Sequence, residues 1–191
     1  SPGSDEGCRH RCGRCDDFRR AVMGDLGEPV HLEDVHPDDE PPYLLGRLLA
    51  SGETTLLYGD GGTGKSLLAA AMAVSVASGR EVIPGQPPTS RGCILILDFE
   101  DSAKRWAERM QRIKVAASIA ERLDLHYYQV RDDVPSCEDE LRRAVAQYRP
   151  VLVIVDSMGY ALPPEAPSSD PRVAVLAVLR TLRQLDTTVL L

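Results

Sequence analysis

From Tyr43 onward, short apolar runs alternate with longer stretches whose apolar positions recur at helical spacing. The runs are Thr54–Tyr58, Cys93–Asp98, Leu125–Val130, Val151–Asp156 and Thr187–Leu191. Near-continuous apolar runs of this length suit strands buried on both faces of a parallel sheet. Between them the pattern predicts helices over residues 65–78, 102–117, 137–148 and 171–185. Strand–helix alternation of this kind specifies an α/β fold in three layers, with helices on both sides of a mainly parallel central sheet. The stretch Leu67–Ala77 is small and apolar nearly all round, so it is expected to be buried. The helix from 171 is expected to bury a Val175/Leu179/Leu182 stripe and to solvate Arg172, Arg180 and Arg183. Asp170-Pro171 suits its N-cap and first turn. No internal repeat is visible, and no run approaches the ~20 apolar residues a membrane helix requires.

Composition divides the chain of 191 residues further. Residues 1–20 are rich in Cys and Arg and too few to build a core. Residues 21–42 form an acidic, Pro-containing linker, and residues 43–191 form the domain. The formal net charge is −7, but Asp25, Glu28, Glu33, Asp34, Asp38, Asp39 and Glu40 all lie in residues 21–46, which hold no Lys or Arg. The remaining 22 acids balance the 22 bases, which excludes a uniformly basic coat for nucleic acid. Only 5% of residues are aromatic, so Leu, Val, Ile and Ala must fill the core. There is no initiator Met and no secretory leader, and Thr187–Leu191 reads as the start of a strand, so truncation at both ends is expected. The absence of a paired cysteine framework points to a reducing cytoplasm.

The strongest chemical signal is Gly59-Asp60-Gly61-Gly62-Thr63-Gly64-Lys65-Ser66, which matches G-x-x-x-x-G-K-[ST] between a predicted strand and a predicted helix. Glycines let the backbone curl so that successive N–H groups face a phosphate, and the helix N-terminus adds its positive dipole end. Lys65 is placed to reach the β- and γ-phosphates and Ser66 to ligate Mg²⁺. The chain has only three lysines, Lys65, Lys104 and Lys114, against 19 arginines, and one of them stands where this loop requires it. The pattern implies nucleoside triphosphate binding.

Phosphoryl transfer also needs a metal-orienting carboxylate and a group that activates water. Val151–Asp156 is a buried strand ending in a carboxylate, the Walker B pattern, which makes Asp156 the expected Mg²⁺ partner. Ile94–Asp101 is a second such strand that ends among Asp98, Glu100 and Asp101. Glu100 is the candidate general base, with Asp98 and Asp101 as competitors, and Asp101 or Ser102 could instead cap the next helix. Asp156-Ser157-Met158-Gly159 mimics the D-x-x-G element of GTPases, but no N-K-x-D motif accompanies it. The L-S-G-G-Q signature and an Arg-rich lid are also missing, so ATP is the expected nucleotide.

The segments Pro41–Leu45, Gly59–Ser66, Ile94–Asp101 and Val151–Asp156 together resemble the RecA-like AAA ATPases of the RepA/DnaB hexameric-helicase type. The resemblance covers about residues 41–191. It implies a P-loop NTPase of RecA-like fold that hydrolyses ATP with Mg²⁺, as a helicase-like motor in DNA replication or recombination. It also implies that Glu100 activates water and that Arg109, shortly into the following helix, lies near the active site. Arg105, Arg109 and Arg112 fall at i, i+4 and i+7, however, which a solvated helix face would equally produce. A hexameric ring, an arginine finger from a neighbouring subunit and a polar sensor beyond Leu191 are further implications. Without finger and sensor the chain is expected to bind ATP and turn it over slowly. The contrasting expectation is a nucleotide-dependent switch or assembly scaffold.

The resemblance also implies that the loop Ser157–Asp170 can touch single-stranded DNA, yet this loop has no Lys or Arg and Tyr160 is its one aromatic. A platform that stacks bases and holds phosphates needs both kinds of residue. Finally, Cys8, Cys12 and Cys15 lie within eight residues, with His10, His31 or His36 able to complete a Zn²⁺ site. Free thiols are the alternative there.

Overall fold

A computed structural model describes residue 31 and residues 42–163 and 171–191. The Cys8/Cys12/Cys15 group, nearly all of the 1–20 tail and 21–42 linker, and the Asp170 cap lie outside the described residues.

The domain opens with a hairpin of β1 (Tyr43–Leu45) and β2 (Leu49–Ala50), paired antiparallel, which the hydrophobic pattern did not single out. Five further strands form one parallel sheet: β3 (Thr54–Thr55), β4 (Ile94–Asp98), β5 (Leu125–Gln129), β6 (Leu152–Asp156) and β7 (Thr188–Leu190), in the order β3-β7-β6-β4-β5. The helices are α1 (Lys65–Ser78), α2 (Ala103–Ala116), α3 (Glu138–Tyr148), the single turn α4 (Met158–Ala161) and α5 (Pro171–Arg183). The run expected to be a strand through Tyr58 pairs over Thr54–Thr55, with Leu57 N–H donating to Leu191 C=O at 2.7 Å before the chain turns into the glycine loop. α4 interrupts what was expected to be an uninterrupted loop after Asp156.

Strand alternation divides the core in two. Ile94, Ile96, Leu152 and Ile154 pack with α1, Trp106 of α2 and the hairpin leucines Leu44, Leu45 and Leu49. Leu95, Leu97, Val153 and Val155 pack on the opposite face, with Leu141 and Ala144 of α3, Val178 and Leu182 of α5, and Leu185 just past its end. Three layers result, as the alternation predicts. α1 is buried from Ala69 to Ser78 except for partly exposed Ala71, and it ends on Gly79, whose N–H donates to Ser75 C=O at 2.9 Å. α2 is capped by Ser102 rather than Asp101, and α3 carries Glu138, Asp139 and Glu140 in its first turn, where the helix dipole favours them.

α5 corrects one expectation. The buried stripe is Ala174, Val178 and Leu182, continued by Leu185 just past the helix end, while Val175 and Leu179 are only partly covered. Apolar residues occur at so many positions between 173 and 182 that several i, i+4 ridges compete, and the 174/178/182 ridge meets the sheet. Val173 and Leu176 are each left 61% exposed, and Arg172, Arg180 and Arg183 are exposed as expected.

Candidate nucleotide site

The sheet reverses its direction of winding between β4 and β6: the chain steps outward from β4 to β5, then crosses back to β6 and on to β7. In open α/β sheets such a switch point opens a crevice at the carboxyl ends of the strands. The side chains that share the face of Ile94 and Ile96 include Asp98, and those that share the face of Leu152 and Ile154 include Asp156. The register sets Asp98 directly opposite Asp156, both on the side covered by α1.

The glycine loop enters the same crevice. Gly62 and Gly64 have φ of 78° and 93°, in the left-handed region that a side chain disfavours, and a Cβ added at either would meet only open space. Gly64 is the N-cap of α1 and offers no side chain, so the helix N–H groups remain available to an anion. Lys65 curls back over the loop and donates to the carbonyls of Gly59 (2.7 Å) and Asp60 (2.8 Å). Thr63 Oγ1 closes the turn by donating to Asp60 C=O at 2.8 Å.

The three acids at the end of β4 and just beyond it hold distinct environments. Asp98 is fully buried. Its Oδ1 accepts the backbone N–H groups of Glu100 (3.0 Å) and Asp101 (2.8 Å), and its Oδ2 accepts the Tyr127 hydroxyl at 2.8 Å. That phenol is held protonated well above the ordinary tyrosine range, by burial first and then by the Asp98 bond and charge. Asp101 is committed to arginines: its Oδ2 takes Arg109 at 2.8 Å, and its Oδ1 lies 3.3 Å from Arg105 and accepts Ser102 N–H at 3.0 Å. Glu100 is exposed toward the cleft, its Oε2 accepting the Ser157 hydroxyl at 3.2 Å. Both competitors for the role of base are thus occupied, and Glu100 is the carboxylate left facing open space.

Arg109 departs from the solvated-face alternative. Arg105 and Arg112 are exposed, whereas Arg109 turns inward onto Asp101, and its second guanidinium nitrogen is buried without a hydrogen-bond partner. Asp156 is partly buried, and burial pushes its carboxyl above the ordinary range; a hydrogen bond from Ser66 opposes this, neighbouring Asp98 adds to it, Arg109 opposes it and Glu100 adds to it.

Gly61, Gly62, Gly64, Lys65, Ser66, Glu100, Asp101, Arg105, Arg109, Asp156 and Ser157 line one cleft of about 490 Å³. The structure therefore brings Lys65, Ser66, Glu100, Asp156 and Arg109 together. Tyr127 and Ser157 are participants to which the residue-by-residue reading assigned no role, and Asp98 and Asp101, read there as competing bases, instead hold the backbone and the arginines. Tyr127 was within reach, because its register opposite Ile96 puts it on the face of Asp98. The donor set fits a magnesium–nucleotide pair: open glycine amides and a lysine for phosphates, an orphaned arginine nitrogen for a further anionic oxygen, and a serine hydroxyl bonded to a carboxylate for the cation.

A family model described as an AAA domain matches residues 26–191. No curated protein matches the chain. Among the described residues, no helix is long and apolar enough to cross a membrane.

Proposed function

The chain belongs to the AAA domain family, a family of nucleotide-binding ATPases, and on that footing we propose that its cleft binds Mg²⁺–ATP and hydrolyses it as a RecA-like motor of the RepA/DnaB type. The single observation that carries the hydrolytic step is the division of labour among the three acids, which leaves Glu100 facing the phosphate loop across the cleft.

Each residue then has one task. The amides of Gly61 to Ser66 and the Lys65 ammonium bind the β- and γ-phosphates of ATP. Ser66 and Asp156 would hold Mg²⁺, which would neutralise phosphate charge when bound. Glu100 accepts a proton from the attacking water, and the Ser157 hydroxyl keeps its carboxylate aimed. Asp98 fixes the backbone of Glu100 and Asp101, and Asp101 holds Arg109 so that its unpartnered nitrogen meets charge on the transferred phosphoryl group. A finger arginine from a neighbouring subunit in a hexameric ring would complete the charge, as the family resemblance implies.

The helicase-like reading and single-stranded DNA as partner rest on that resemblance. A nucleotide-dependent switch or scaffold is the second reading, and it is favoured by the lack of any Lys or Arg between Ser157 and Asp170. ATP turnover by the full-length protein with and without single-stranded DNA separates them. Stimulation of several-fold or more supports the motor; turnover that DNA leaves unchanged assigns the switch.

A further inference from the structure

At the opposite, amino edge of the sheet, a cysteine, an aspartate and a histidine converge. Cys93 immediately precedes β4, and Asp124 and His126 flank the first residue of β5. The register pairs Ile94 with Leu125 and Leu95 with His126, so alternation puts Cys93, Asp124 and His126 on one face of the sheet, that of Leu95 and α3. Their ligand atoms all lie within 4.8 Å of one another, and His126 Nε2 is 2.9 Å from Asp124 Oδ1. The imidazole is held in place by stacking on Tyr148, the last residue of α3, with ring centres 4.0 Å apart.

We propose that Cys93, Asp124 and His126 form a Zn²⁺ site. One thiolate, one imidazole and one carboxylate are the donors a borderline cation takes, and the thiolate disfavours Mg²⁺ and Ca²⁺. Ligands at zinc distances of ~2.0–2.3 Å stand about 3.3–3.6 Å apart in a tetrahedron with one sulfur. Cys93 is buried and His126 is half-buried, so rotation of the exposed Asp124 side chain is the adjustment that brings the three ligand atoms, now 2.9 to 4.8 Å apart, to these separations. Entry is open: a surface cleft of about 350 Å³ is lined by Arg122, Leu123, Asp124, Leu125 and His126, which leaves room for water as fourth ligand. On binding, the Cys93 S–H bond breaks, the sulfur keeps the electron pair for the metal, and the proton passes to solvent. Five residue steps of ~3.3 Å each separate Cys93 from Asp98, so the site cross-links β4 and β5 without touching the nucleotide cleft.

The test uses the full chain with Cys8, Cys12 and Cys15 replaced by Ser, so that the N-terminal thiols cannot bind the probe. Titrated with Co²⁺, this protein should bind one equivalent and develop a thiolate-to-cobalt charge-transfer band, and Zn²⁺ should displace the Co²⁺ and raise the melting temperature. Adding Cys93→Ser should abolish the band. His126→Gln and the exposed Asp124→Asn should each weaken Co²⁺ binding at least about tenfold. Metal-free melting of Asp124→Asn should match the parent, as should its ATP affinity, which separates loss of a ligand from loss of the fold. Absence of the band before Cys93 is changed, or its persistence afterwards, overturns the site.

Discussion

Asp98 shows how a single buried carboxylate organises the backbone around a candidate general base. Removing it leaves two backbone N–H groups and the Tyr127 hydroxyl without their acceptor. Asp98→Ala should therefore destabilise the domain by about 2–4 kcal/mol, measured by urea unfolding, and lower ATP turnover at least about tenfold with a smaller change in ATP affinity. Asp156 obeys different arithmetic. Burial raises its folded-state pKa, so the native form holds a proton more tightly than the unfolded chain. That contribution to stability is present below the ordinary carboxylate pKa and is lost as pH rises through the raised one. Asp156→Asn should thus raise the metal-free melting temperature by ~2–4 °C at neutral pH, with the gain shrinking toward pH ~4, while Mg²⁺-dependent hydrolysis disappears. At this scale the sequence was most legible in the phosphate loop, where spacing alone identifies Lys65 and Ser66. It was least legible among Asp98, Glu100 and Asp101, because three adjacent acids look equivalent until their hydrogen bonds are known.

The elements explain why those residues meet. β4 and β6 end in register, and α1 begins where the glycine loop closes, so crevice and anion site are built by neighbouring strand and helix ends. Gly64 is the joint between loop and helix. Gly64→Ala puts a Cβ on a residue with φ of 93°, at a cost of roughly 1–2 kcal/mol, and crowds the anion cradle. ATP affinity should fall about tenfold by titration calorimetry, while the urea midpoint shifts only modestly. The long elements follow from periodicity because each has a dozen or so residues to average over. The β1–β2 hairpin and the four-residue α4 are too short for any period to emerge, and the α5 stripe was misaligned because its apolar residues satisfy several ridges at once.

For the molecule as a whole, strand order is what the sequence withholds. Alternating strands and helices announce a parallel three-layer fold, but nothing local says that β7 is inserted between the phosphate-loop strand and the Asp156 strand. That insertion sets β3 one strand away from β6, while the glycine loop that follows β3 brings Lys65 and Ser66 to the cleft of about 490 Å³ that Asp156 also lines. The same parallel arrangement keeps the Cys93–Asp124–His126 edge remote from hydrolysis, so metal binding and ATP turnover should vary independently. Everything proposed for the cleft converges on one carboxylate, and the most direct measurement compares Glu100→Gln with the parent for both ATP binding and turnover. ATP affinity should stay within about threefold of the parent, and turnover should fall by ~10²-fold or more. Equal turnover by the two proteins would contradict Glu100 as the base.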